Sequence, residues 1–410
     1  MDVKVGSPTP PPKRPSASTP PDRILGAEEE SMMIGQARST HREVSPLELF
    51  FDLVFVLAIG QLTHHLVDHL TWHGAAETLV ALVAVCGVWA FTTFEITLLD
   101  IERTATRAVT ITVMGLGLFM NAGIGHAFDE SPWLFVVPML LALIGPAVYA
   151  AATAPTPRLR THFLHVLIWF AVSAPFWVAG AALDPEWRLW LWAVAALVDL
   201  VGTWSAHPLP SGRTQTQQLP FDAEHMLERM RLFLIILLGE TVLTLGRVIA
   251  AHHSDALTLA LAAGCFVALV CLWAVYFGRA EQIVESHIAA TENPIRSVHI
   301  GINVIYGVVT GLVMFAAGSE LVLAHAGDDR AGLGGVLMLA GPAIYLLSHA
   351  IYFRLTTHTG WVPRAVGAAV LASASVAAYW LPSYAVVLAL VLILLAVAVA
   401  LTRDVSASET

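Results

Sequence analysis

Apolar runs of about 20 residues alternate with short polar segments along most of this chain, and a run of that length is what an α-helix needs to cross a bilayer. They fall near 47–70, 75–99, 107–127, 132–153, 162–182 and 187–206, and again near 230–250, 257–278, 298–325, 332–354, 364–381 and 384–402. The pattern predicts an all-α fold, a polytopic transmembrane helical bundle of about 12 spans. Residues 1–45 are different: polar, proline-rich and without the apolar stretch of a cleavable signal peptide. Such a segment buries too little apolar surface to offset its ordering entropy. We expect a disordered cytoplasmic tail there, with the first span acting as the uncleaved insertion signal.

The runs fall into two sets of six. Gly145-Pro146-Ala147-Val148-Tyr149 in the fourth span returns as Gly341-Pro342-Ala343-Ile344-Tyr345 in the tenth. Val85-Cys86 with Trp89 resembles Val270-Cys271 with Trp273, Gly60-Gln61 resembles Gly239-Glu240, and Arg107 and Arg296 each open the third span of a set. The matches keep their order, with slightly longer loops in the second set. An even number of spans per unit gives two halves of parallel topology, a plan found in many transporters. The expected organisation is a first half over 46–206, a cytoplasmic linker over 207–229, a second half over 230–403 and a short cytoplasmic tail over 404–410.

Composition agrees with this plan. Hydrophobic residues make up 57% of the 410 and charged residues only 13%, against about 25% charged in a soluble domain. The net charge of −10, with no basic stripe, excludes nucleic acid as a partner. Cys86, Cys265 and Cys271 all fall in apolar runs and read as packing residues. With the N-terminus inside and loops assigned alternately, every lysine and arginine but Arg188, Arg247 and Arg330 lies on the inner side. That asymmetry places both termini in the cytoplasm.

Ionisable residues inside a span are costly and face the bundle interior or a wet cavity. Glu48 and Asp52, four apart, share one face of the first helix near its inner end. Two neighbouring acids suit proton exchange or cation binding; alternatively Ser45 or Glu48 caps the helix and Asp52 pairs with an arginine. The stretch ELFFDLVFVLAIGQL from Glu48 to Leu62 resembles the opening motif of the bacterial low temperature requirement protein A family. ERMRLFLIILLGE from Glu228 to Glu240 is similar to that family's second motif. Arg231 departs from it, standing where the family pattern more often has glycine. The resemblance covers roughly 43–402. It implies a multi-pass protein of the bacterial plasma membrane and marks these motif positions, but it brings no settled biochemical activity.

Glu240 lies mid-helix, where an uncompensated acid costs about 2.5 to 3.5 kcal/mol, so it needs a proton, a partner or water. Its counterpart by repeat is Gln61. Arg296, His299 and Asn303 put one polar face on the ninth span. With Glu95, Arg107, Asp199, Glu228 and Arg229 they are expected to join Glu48 and Asp52 in an inner polar network, serving either transport or helix locking. At the outer end of the first helix, His65 and His69 are candidate ligands for a divalent metal, or part of a solvated rim. Motifs of soluble enzymes are missing, and nothing in the chain asks for a cofactor. The expected partners are the lipid bilayer, a proton or cation and an unidentified small molecule. The leading expectation is a proton- or cation-coupled transporter or permease. The alternatives are an intramembrane enzyme acting on a lipid or lipid-linked substrate, and an ion channel.

Overall fold

The computed structural model describes residues 44–98, 103–208, 221–251, 255–277 and 279–408. Most of the expected N-terminal tail, residues 209–220 of the expected linker, the last two residues and the side chain of Glu95 lie outside the described residues. Residues 44–410 form one compact unit. Among the described residues the structure is helical, without a strand.

The helices are α1 (Pro46–Asp68), α2 (Trp72–Leu98), α3 (Thr104–Ala122), α4 (Pro132–Thr153), α5 (Pro157–Ala182) and α6 (Pro185–Ser205). Then follow α7 (Ala223–Ala251), α8 (Ala256–Tyr276), the short α9 (Arg279–Ala290), α10 (Pro294–Ala324), α11 (Gly332–Leu355), α12 (Trp361–Ala378) and α13 (Ser383–Ser408). The sequence marks many of the starts. Pro46, Pro132, Pro157, Pro185 and Pro294 each open a helix, where the missing N–H is no loss and φ is already set. Thr156, Asp255 and Asn293 cap α5, α8 and α10 by accepting from a backbone N–H in the first turn.

Among the described residues, eleven helices are long and apolar enough to cross a membrane. The 21-residue α6, which carries Glu186, Arg188 and Asp199, is not among them. Geometry nevertheless requires it to cross. Glu48 of α1 meets His225 of α7 and Asp52 meets Arg229, both at a separation of 177 residues, so α1 and α7 run parallel. Two parallel spans need an odd number of crossings between them, and α2 to α6 supply it only if α6 crosses too. The 12 residues of α9 reach about 18 Å, too short to span. Hence the near end of the bundle, where α1 begins, also holds the starts of α5, α7 and α10 and the ends of α2 and α6.

Lipid offers no hydrophobic drive for helix association, so close packing depends on small residues. The tightest seam is α10 against α11. A Cβ on Gly311 would lie 2.7 Å from the carbonyl oxygen of Gly341, and one on Gly341 would lie 2.5 Å from that of Gly311. Gly318 lies as close to the backbone of Met338, and Gly307 admits the Ser348 hydroxyl. Gly145 of α4, which opens a similar Gly-Pro-Ala run, by contrast faces open space.

Two boundaries differ from the sequence expectation for one reason. Helix α7 begins at Ala223 rather than near 230, and α10 begins at Pro294 rather than near 298. Polar residues in those first turns read as loop, but His225, Arg229 and Ser297 among them are buried. Helix α9 was not expected, and Arg231 of α7 pairs with its Glu281 and Glu285, which gives this departure from the family pattern a local partner. Because these side chains are partly exposed, the pairs contribute little. Arg231→Ala is expected to change stability by no more than about 1 kcal/mol, measured by thermal unfolding in detergent.

Candidate functional site

The densest polar group lies at the near end, where α1, α2 and α7 meet. Ser45 and Glu48 form a capping box: Ser45 Oγ accepts from the Glu48 N–H at 3.3 Å, and Glu48 Oε2 accepts from the Ser45 N–H at 2.8 Å. The other carboxylate oxygen, Oε1, sits 2.9 Å from His225 Nε2 and 3.8 Å from Arg229 Nη1. One turn further in, Asp52 Oδ1 accepts from Arg229 Nη2 at 2.9 Å and from Trp89 Nε1 at 2.8 Å. Trp89 stacks on Phe233 and the guanidinium lies over the ring of Phe51. Glu48, Asp52 and Arg229 are completely buried, and His225 nearly so.

Two acids four apart on α1 thus face a base pair four apart on α7, in register. Such a ladder does more to hold two helices in one relation than to add net stability, because desolvation offsets much of the attraction. It is also unbalanced. Two carboxylates and one guanidinium leave one negative charge, which one proton or one monovalent cation neutralises. Asp52 Oδ2 and Arg229 Nε and Nη1 have no hydrogen-bond partner among the described residues, so the site keeps hydrogen-bonding capacity in reserve.

The wall that supplies Trp89 separates the ladder from a cavity of about 480 Å³ between α2, α5, α6 and α10, a volume in the range of small-molecule sites. Arg296, His299 and Asn303 line it from α10, His162 from α5, and Trp204 and His207 from the end of α6. Phe91 and Phe94 of α2 and Ile300 of α10 give it apolar faces. His299 Nε2 donates to the Trp204 carbonyl at 3.1 Å, and His207 sits just past α6 in a left-handed conformation. Burial, and then the imidazoles of His162, His299 and His165, hold His207 down to about 3.

The expected network therefore divides. Glu48, Asp52 and Arg229 come together, while Arg296, His299 and Asn303 belong to the cavity. Asp199 accepts from Trp177 Nε1 at 2.9 Å and lines a small hollow beside His207 and Thr203. Glu228 is half-buried on α7, with Oε2 lacking a partner among the described residues, and Arg107 is exposed at the start of α3. Glu240 lies three turns beyond the ladder. Its Oε1 accepts from Arg247 Nη2 at 3.1 Å and lies over Gly60, whose missing Cβ leaves the room. Gln61 shares no hydrogen bond with Glu240. At the far end His65 Nε2 meets Glu77 at 3.2 Å and His69 Nδ1 meets the His65 carbonyl at 3.1 Å. Among the described residues no group of three or more His, Cys, Asp and Glu is arranged to hold a metal ion.

Sequence reading missed His225, Trp89 and His162. His225 stood in what read as linker, yet its spacing of four from Arg229 mirrors that of Glu48 and Asp52 and is the signal that finds it. Trp89 and His162 are single residues in apolar runs, and only the tertiary arrangement gives them a role.

Comparison with known proteins identifies the family. The chain is 30% identical over 326 residues to the uncharacterized protein RA0937 of Rhizobium meliloti (strain 1021), covering 78% of this chain and 79% of that one. No solved structure matches. Residues 43–399 match the bacterial low temperature requirement A protein (LtrA) family, a stretch that contains both motifs, the ladder and the cavity. The chain belongs to the bacterial low temperature requirement A family.

Proposed function

We propose that this protein is a proton- or cation-coupled permease of the plasma membrane, built from two six-helix halves, with the α1–α7 ladder as its coupling site. The observation that carries this reading is the charge deficit of the ladder. A fully buried set of two acids, one arginine and one imidazole needs one exchangeable positive charge to be balanced. A carrier that binds and releases a proton or cation uses such a site; a helix lock has no need of the deficit.

The neighbour pattern supports the two halves. Within the first, α1 packs on α2 and α3, α2 on α3 and α6, and α3 to α6 pack in sequence. The second repeats these pairings as α7 on α8 and α10, α8 on α10 and α13, and α10 to α13 in sequence. The ladder joins the first helix of one half to the first helix of the other, and the cavity takes walls from both. A carrier whose halves rock about a central site has this arrangement.

With α6 crossing, the twelve spans bring both chain ends to the near face, and the arginine asymmetry makes that face cytoplasmic. A reporter fused after Thr410 is expected to read cytoplasmic; an extracytoplasmic signal would contradict both the span count and the orientation. The transport reading itself is tested in proteoliposomes loaded with a pH-sensitive dye and exposed to gradients of small solutes. We expect a solute gradient to move the lumen pH with the parent protein and not with Asp52→Asn. Conversion of a lipid by the purified protein in detergent, with no gradient, would instead support an intramembrane enzyme.

A further inference from the structure

The cavity beside the ladder has a chemical preference of its own. Its lining holds one guanidinium, from Arg296, and three imidazoles, from His162, His207 and His299, with no carboxylate among the described residues. His162 is only 4% exposed, and neither of its ring nitrogens has a hydrogen-bond partner among the described residues. A buried polar side chain left in that state calls for a reason. Asn303 turns a buried amide oxygen without a partner among the described residues to the same lining. The remaining walls are apolar or aromatic, with Phe91, Phe94, Val166 and Ile300 prominent.

We propose that this cavity binds a small organic anion, its carboxylate-, sulfonate- or phosphate-type head set against Arg296 and the imidazoles, and its apolar body against Phe91, Phe94 and Ile300. Three imidazoles and a guanidinium around one space repel added protons, and the neighbouring imidazoles add to the burial that chiefly depresses His207. An anion reverses it: the head accepts from the guanidinium, and each imidazole that takes a proton gains a charged acceptor. Asp199, beside His207 in the adjoining hollow, is already engaged with Trp177 and leaves the cationic lining in place. Helix α2 carries the link to the coupling site, because Trp89 bonds Asp52 while Ala90, Phe91 and Phe94 line the cavity. A solute seated against α2 therefore acts on a helix that holds the ladder. The proposal deepens the permease reading by naming the class of solute, yet the binding needs no gradient and stands or falls separately.

The test uses the full chain in nanodiscs of phosphatidylcholine, titrated by calorimetry with benzenesulfonate, benzyltrimethylammonium and inorganic phosphate. Benzenesulfonate is expected to bind at one per chain, with the cation of similar shape failing to bind and phosphate binding more weakly for want of an apolar body. Arg296→Gln removes a charge-assisted contact and is expected to weaken binding about ten-fold or more. Arg296 is exposed, so this variant keeps the fold; His162→Gln is a second variant expected to weaken binding. Repeating the titration in phosphatidylglycerol nanodiscs separates two sources of the same chemistry. Competition there would mark a lipid headgroup as the natural anion, and unchanged binding would mark a soluble one. The proposal is overturned if benzenesulfonate does not bind, if the cation binds as tightly, or if both variants bind like the parent. Binding without movement of any solute in proteoliposomes would leave the anion site standing and remove the permease.

Discussion

Arg229→Gln is expected to be among the most destabilising single changes in the protein. The arginine is fully buried and serves Asp52 at 2.9 Å and Glu48 at 3.8 Å. Its removal leaves two carboxylates in the seam with neutral donors, Trp89 Nε1 and Ser45, and the His225 imidazole, but no guanidinium to balance their charge. Breaking a buried ion pair from one side costs about 3 to 5 kcal/mol, because the remaining charge stays desolvated and unpaired. We expect the variant to accumulate poorly and to elute aggregated from size exclusion. Neutralising both partners is a different matter, since an uncharged pair of similar shape carries no buried charge. Asp52→Asn combined with Arg229→Gln should recover most of the lost stability, its amides able to bond each other and Trp89 Nε1. The cycle of single and double variants, followed by thermal unfolding, measures the coupling directly, and additive losses would mean that the two side chains do not act as a pair.

Gly341→Leu is expected to cost at least as much, for a steric reason. The added Cβ would meet the Gly311 carbonyl oxygen at 2.5 Å and the Phe315 backbone nitrogen at 2.6 Å. Both are helix backbone and cannot swing aside, so α10 and α11 must separate along their closest seam. Overpacking of this sort costs about 3 kcal/mol or more when nothing flexible can yield. Gly145→Leu is the matched control: the position opens a similar Gly-Pro-Ala run, is exposed and has nothing within 4 Å. There the change should stay within about 0.5 kcal/mol. Equal losses at the two glycines would show that the α10–α11 contact is not the cause.

The spans were legible because length and apolarity are local properties. So was the face shared by Glu48 and Asp52, which follows from helical spacing alone. Their partners were harder. Arg229 was placed in the inner network, but His225 lay ahead of the expected start of α7. A polar first turn cannot be told from a linker until α1 is packed against it. Glu240 was recognisable as an acid in need of a partner, and Arg247, two turns on, supplies it. Sequence spacing does not show which way a long arginine folds back. The cavity was half legible: Arg296, His299 and Asn303 make one visible polar face on α10, while His162 and His207 come from separate helix ends and meet it only through the fold. The expected single network became two sites because α2 stands between them, with Trp89 turned to one and Phe91 and Phe94 to the other.

The ladder reads as either a lock or a coupling site, and one measurement separates the two. It is growth of a strain deleted for this gene and carrying Glu48→Gln, scored beside the amount of folded protein in its membranes. If the ladder couples transport to a proton or cation, this variant should be present at close to the parent level and still fail to restore growth, because one carboxylate then faces one guanidinium and the exchangeable charge is gone while the Asp52–Arg229 pair remains. Full restoration of growth by Glu48→Gln would contradict the coupling role and leave Glu48, Asp52, His225 and Arg229 as a structural clasp between α1 and α7.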